Sequence, residues 1–330
     1  MIARRLVLPG VAFCLLAAAC TQKTSPNPTG SPTANANFAA AMGSTYLYAE
    51  HPLDVEVGLF SSTSSNGVQL VTFGTVQVSF TFLGGSQTPA PSGTPTTAVA
   101  ADYLPAPTTK KTGDGPSLSD PSTARGVYDA RNITFDKPGW WSTTVQADVA
   151  GAGAVVQTTT PFVVYPKPQL PAPGDRALKT NNLTLFTPGV KPAWLDSLAQ
   201  GPDAKVPDPR LHRWTIAKAL AEHRPILVIF STPAYCTSEF CGPTTDAVAQ
   251  LAKTYANRAV FIHVEIYKSY GAKGNIPNQA AVQWLYRDAD LTEPWLYLIG
   301  ANGIIQHQWG PLFYVDEVAM KLAALPPMKG

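Results

Sequence analysis

The hydrophobic pattern of this chain changes period once, and that change limits the folds open to it. Between about residues 41 and 165, apolar residues recur at every second position. In "LDVEVGLF", Leu53, Val55, Val57 and Leu59 alternate with Asp54, Glu56 and Gly58. In "VQVSFTF", Val76, Val78, Phe80 and Phe82 alternate with Gln77, Ser79 and Thr81. Period two with one apolar face marks a half-buried strand. "DARNITFDKPGWWSTTVQADV" adds two strands around a turn at Asp136-Lys137-Pro138-Gly139, and "VVQTTTPFVVY" closes the series. Short strands without helical stretches predict an all-β sandwich over 41–165. Adjacent strand residues point to opposite faces, so one of Trp140 and Trp141 is expected in the core and the other outside. Gly84 to Thr123 carries seven prolines and few apolar residues, and reads as a long loop.

From about residue 213 the pattern mixes periods. "TIAKALAEHR" has helical spacing at Ile216, Ala219 and Leu220, and "PILVIFS" is a continuous apolar run, as in a strand buried on both faces. "PTTDAVAQLAKTYA" places Val248, Leu251, Ala252 and Tyr255 on one helical stripe. "AVFIHVEIY" is a strand and "NQAAVQWLYRD" a helix. "PWLYLIG" and "IIQHQWG" flank Ala301-Asn302-Gly303, a hairpin signal, and "YVDEVAMKLAAL" is a last helix. Residues 166–212, with "YPKPQLPAPGD" and "KVPDPR", read as a proline-rich linker, "NNLTLF" and "AWLDSLAQ" docking on the next domain as a short strand and a short helix. A length of 330 residues at 45% hydrophobic content supports two cores. A net charge of +2 gives no footprint for nucleic acid.

The N-terminus indicates compartment. Arg4 and Arg5 precede an apolar run from Leu6 to Leu16, too short for a stable span, and Ala17-Ala18-Ala19-Cys20 follows. This ending resembles a bacterial lipobox. The resemblance implies a signal peptide over 1–20, a lipidated Cys20 and an extracytoplasmic protein held at the cell membrane, with 21–40 a disordered tether. The alternative is ordinary cleavage near Ala19 and a free secreted protein. Asn132-Ile133-Thr134 and Asn182-Leu183-Thr184 match glycosylation acceptors, to which a bacterial lipoprotein gives no weight.

With Cys14 in the signal and Cys20 lipidated, Cys236 and Cys241 in "FSTPAYCTSEFCGP" are the cysteines of the mature chain. A bridge closing so short a loop contributes little chain entropy, which favours chemistry over stapling. An α-helix through both cysteines would separate them by about 7.5 Å of rise. A disulfide needs Cα atoms within about 7 Å. Gly242 as cap and Pro243 as first helical residue would leave both cysteines in the preceding loop.

The element order from 213 to 330, with a cysteine pair where a strand meets its helix and Pro294 opening the hairpin, is similar to the thioredoxin fold. The resemblance implies a Cys-x4-Cys thiol–disulfide oxidoreductase with no organic cofactor. Its partners would be thiols or disulfides of exported proteins, and Pro294, as a cis-proline, would position them. It implies attack by Cys236 and resolution by Cys241. The helix dipole favours the opposite order, so the order stays open here. "GVYDARNITFDKPGWWSTTVQADV" resembles the last strands of an immunoglobulin-like bacterial accessory domain. "CTSEFC" also resembles the cysteine region of a peroxiredoxin class, although Pro233 stands where that class has threonine. Thioredoxin-fold copper chaperones bind metal through two cysteines and a histidine, which would enlist Cys236, Cys241 and His263. His263 has a bland alternative as a satisfied core residue, with His307 facing solvent. A non-catalytic binding lipoprotein with a structural disulfide completes the alternatives.

Overall fold

The computed structural model describes residues 37–328, apart from 64–66, 86–92, 202, 237, 273 and 288–289. The expected signal peptide with Cys14 and Cys20, and the tether up to residue 36, lie outside the described residues. The chain is β-rich, with 39% strand and 16% helix in several sheets.

The alternating region forms ten strands: β1 (Phe38–Met42), β2 (Pro52–Thr63), β3 (Gly67–Thr72), β4 (Thr75–Gly84), β5 (Val99–Pro105), β6 (Ser117–Ser119), β7 (Gly126–Thr134), β8 (Gly139–Val149), β9 (Gly153–Thr158) and β10 (Phe162–Val164). They share one ladder in the order β10-β8-β4-β5-β7-β2-β3-β6, with β1 added to β2 and β9 to β8. The strands β1 and β9 approach each other, so the sheet curls around one core that includes Val55, Val57, Val78, Tyr128 and Val145. Trp141 lies in that core and Trp140 is half-buried.

Two expectations are corrected. The proline-rich stretch 84–123 is not simply a loop, because β5 lies within it and hydrogen-bonds to both β4 and β7. A strand at that position bridges what would otherwise be two separate ladders. Phe38, within the expected tether, is buried and pairs with Ser61, so order begins earlier than composition suggested.

The C-terminal part is built on a four-stranded mixed sheet. Its chain order is α1 (Ile216–Ala221), β11 (Ile226–Ser231), α2 (Cys241–Tyr255), β12 (Val260–Glu265), β13 (Tyr267–Ser269), β14 (Ile276–Pro277), α3 (Gln279–Leu285), β15 (Tyr286–Arg287), β16 (Asp290–Leu291), β17 (Trp295–Ile299), β18 (Ile305–Trp309) and α4 (Val315–Ala324). The sheet order is β12-β11-β17-β18, with β11 parallel to β12 and antiparallel to β17. Both faces are apolar, as the unbroken hydrophobic runs require. Ile226, Val228 and Phe230 face α1 and α3, whereas Leu227 and Ile229 face α2 and α4.

Residues 166–212 hold two 3-10 turns, Pro192–Trp194 and Pro209–His212, and no strand at "NNLTLF". They are packed on the C-terminal core, where Leu170, Leu195, Ser197 and Leu211 are buried. Asn182 shows why. Its Oδ1 accepts from the Ile216 backbone N–H at 2.8 Å and its Nδ2 donates to the Trp214 carbonyl at 3.1 Å, securing the start of α1. That burial also closes its glycosylation motif to modification.

The described residues belong to one compact unit. Leu312 packs with Leu104, Ala106 and Val127, and Phe240 and Tyr314 border this cluster. Arg131 pairs with Glu317 across the same junction. Glu56, placed on the outer face of β2 by its alternation, is buried because the chain around Leu312 covers that face.

Candidate functional site

Cys236 and Cys241 are joined by a disulfide, with Cα atoms 5.9 Å apart. The helix begins at Cys241 and not at Pro243. The Phe240 carbonyl already accepts from the Thr244 N–H at 3.0 Å, and the Thr245 hydroxyl donates to the Cys241 carbonyl at 2.7 Å. Pro243 stands in the first turn, where N–H groups have no intrahelical partner, so its missing N–H removes no helical bond. The bridge closes because Cys236 alone lies in the loop.

The two sulfurs differ in surroundings. Cys241 is fully buried and Cys236 half-exposed. The Cys236 Sγ accepts from the Cys241 backbone N–H at 3.3 Å and lies 3.2 Å from the Ser238 hydroxyl. A Cβ at Gly242 would meet nothing within 4 Å, so the surface beside the helix start is open.

The cysteine loop is gripped on both sides. Before Cys236, the Ala234 N–H donates to Ser197 Oγ at 2.9 Å, and Gln200 Nε2 donates to the Tyr235 hydroxyl at 2.7 Å. Tyr235 stacks on Tyr270 at 5.1 Å. After Cys236, Glu239 pairs with Arg125 of the β-sheet part, and Phe240 rests on the cluster around Leu312. The Glu293–Pro294 peptide bond is cis, and Pro294 is buried immediately before β17.

His263 is buried on β12, but it is not a fully satisfied core residue. Its Nε2 lies 3.2 Å from the Ser231 carbonyl, while its Nδ1 has no hydrogen-bond partner and faces Asp196 Oδ2 at 3.7 Å. His212 lies beside it, with ring centroids 5.2 Å apart, and neither nitrogen of His212 has a partner. Burial, reinforced by His263, lowers the His212 pKa well below the usual histidine range. Glu265 is buried nearby. Burial raises its pKa, opposed by His263 and by hydrogen bonds that include the Ser197 N–H at 2.7 Å. Among the described residues, the grouping of metal-ligand type is Asp196, His212 and His263, so His263 is brought to these two and not to the cysteines. His307 is half-buried and stacks near Trp309 rather than facing solvent freely.

A second feature lies at the junction of the two parts. Glu56 and Asp129 are opposite each other on β2 and β7, beside a cavity of about 370 Å³ that Tyr48, Trp309 and Tyr314 also line. Burial, then the neighbouring Asp129, pushes Glu56 up to about 8. Burial, then Asp54, pushes Asp129 up to about 7, opposed by Arg131.

Asp196, His212 and Glu56 carry no motif spacing that would single them out. Their partners come from remote segments, and the only sequence hint is polar residues within otherwise tightly packed stretches. No family model, curated protein or solved structure matches the chain. Among the described residues, no helix is long and apolar enough to cross a membrane.

Proposed function

We propose that this chain is a thioredoxin-like thiol–disulfide exchange protein, held by a lipidated Cys20 on the extracytoplasmic side of a bacterial membrane. The observation that carries the reading is the asymmetry of the cysteine pair. A half-exposed sulfur receives an N–H at a helix start, and its partner is buried directly behind it. Such an N–H and the helix dipole favour thiolate over thiol at Cys236. Exchange proceeds when that thiolate attacks a substrate disulfide, forming a mixed disulfide and releasing the substrate's other sulfur as thiolate. The Cys241 thiolate then attacks Cys236, restoring the internal bridge and releasing the reduced substrate. The net balance is two electrons to the substrate, and the reverse sequence oxidises a dithiol.

A βαβ unit followed by a hairpin and a helix in one mixed sheet supports the thioredoxin-like assignment, as does cis-Pro294. The curled β-sheet part serves as an immunoglobulin-like accessory domain that orients the cysteine loop through Arg125 and the Leu312 cluster. That same grip is the observation favouring the second reading, a structural disulfide in a binding lipoprotein. A redox titration of the purified chain in glutathione and dithiothreitol buffers separates them. Exchange requires a reduction potential within the range spanned by thioredoxin-fold oxidoreductases. A bridge that stays oxidised throughout the glutathione range rejects the proposal and leaves the staple.

A further inference from the structure

Three buried side chains outside the cysteine pair remain unexplained by thiol exchange. Asp196, His212 and His263 are each 3% exposed or less. Their candidate ligand atoms all lie within 4.8 Å of one another. A buried polar atom without a partner costs about 1–3 kcal/mol, and this cluster contains three such nitrogens: both of His212 and Nδ1 of His263.

The orientation of each group is already set from outside the cluster. A carbonyl only accepts, so the contact with the Ser231 carbonyl makes His263 Nε2 the protonated nitrogen. Nδ1 then faces Asp196 Oδ2 at 3.7 Å. Asp196 Oδ1 accepts from the Leu198 N–H at 2.9 Å, which leaves Oδ2 aimed at the histidines. A ring N–H held by a backbone carbonyl, with the other nitrogen turned inward, is the usual outer support of a metal-bound histidine. A ring nitrogen and a carboxylate oxygen that face each other in the buried interior, beside two unpartnered nitrogens of His212, make a place for a cation. The 3.7 Å between His263 Nδ1 and Asp196 Oδ2 is close to what a metal ion requires. Ligands at about 2.0–2.1 Å on a tetrahedral zinc ion lie about 3.4 Å apart.

We infer that Asp196, His212 and His263 form a buried site for a divalent first-row metal ion of the zinc type. Two borderline imidazoles beside one hard carboxylate suit zinc and not calcium or magnesium, which take oxygen ligands throughout. Three protein ligands leave one tetrahedral position for water. Glu265 is not a fourth ligand, since it lies outside the group whose ligand atoms are within 4.8 Å of one another, and its two oxygens accept from the Ser197 and Tyr267 N–H groups. The ligands come from the segment 166–212 and from β12, so the ion would pin that segment to the sheet. Neither sulfur takes part.

The test is titration of the chelator-stripped full chain, its disulfide intact, with zinc alone and then with cobalt(II). One equivalent should bind tightly enough to survive desalting and should raise the melting temperature. Cobalt should give the intense visible bands of a tetrahedral N/O site without a thiolate charge-transfer band. His212→Ala and His263→Ala should each weaken binding by about 100-fold or more, at least as much as losing an outer support. A Cys236→Ser/Cys241→Ser chain should bind unchanged. Absence of stoichiometric binding to the folded wild-type chain overturns the inference and leaves buried water as the occupant. So does binding that persists in both histidine variants. Should those variants fail to fold, X-ray absorption of the zinc-loaded wild type decides: two imidazoles support the site, and sulfur or none rejects it.

Discussion

The backbone N–H of Cys241 points at the Cys236 sulfur from 3.3 Å, at the first residue of α2. The group that begins the helix is therefore the group that supports the other cysteine. Under the proposed exchange reaction, this relationship favours Cys236 as attacking thiolate, although Cys241 lies nearer the helix in sequence. In the reduced chain, Cys236 should alkylate with iodoacetamide at neutral pH well before the buried Cys241. Cys241→Ser should trap a mixed disulfide through Cys236, and Cys236→Ser should trap none. Peptide mapping reads both outcomes, and faster labelling of Cys241 would reverse the assigned order.

Leu312 joins the two parts beneath the cysteine loop, and it is 2% exposed. Leu312→Ala removes its packing on Leu104, Ala106 and Val127. The expected loss is about 2–5 kcal/mol, measured by urea denaturation. Arg125→Ala should cost under about 1 kcal/mol, because its partner Glu239 is largely exposed.

Glu56 and Asp129 should give the fold an unusual pH dependence. Their folded values, about 8 and about 7, stand above ordinary carboxyl values of 4.5 and 3.8. The folded chain thus keeps protons that the unfolded chain has already released. Stability from this pair is full below about pH 4 and falls as pH rises towards 8. Because the two carboxyls share one environment, the titration belongs to the pair. The slope has a ceiling of about 1.4 kcal/mol per pH unit for each proton. Urea denaturation at a series of pH values should show this decline, and Glu56→Gln should flatten it. An unchanged slope in Glu56→Gln would show that other groups control it.

Asn182 joins the segment 166–212 to α1 through both ends of its amide. Asn182→Ala leaves the Ile216 N–H buried without its acceptor and should cost about 1–3 kcal/mol. Asn182→Asp keeps the acceptor but turns a buried carboxylate oxygen towards the Trp214 carbonyl, so it should melt no higher than Asn182→Ala. Equal melting temperatures for all three chains would show that α1 is held by other contacts.

Much of the architecture was legible because it depends on local periodicity. The strands around Val55 and Val78, the buried run at Ile226 and the helix ending near Tyr255 all lie where apolar spacing placed them. The bridge between Cys236 and Cys241 and the cis bond at Pro294 were legible because each lies at a turning point of the chain. β5 was not, because prolines and small residues hide a strand whose stability comes from its neighbours on both sides. Glu56 was placed outside because alternation reports one strand, not what later covers it.

From the sequence alone follow the β-rich first part, the mixed helix and strand order of the second, and the proximity of two cysteines. These rest on short-range spacing, where each residue constrains its near neighbours. Tertiary structure decided that Cys236 is the accessible sulfur, that Glu56 and Asp129 share a buried junction, and that Asp196 and His212 meet His263. Those outcomes rest on contacts between segments far apart in the chain. Their burial and electrostatics exist only once the sheets and the segment between them have closed on one another.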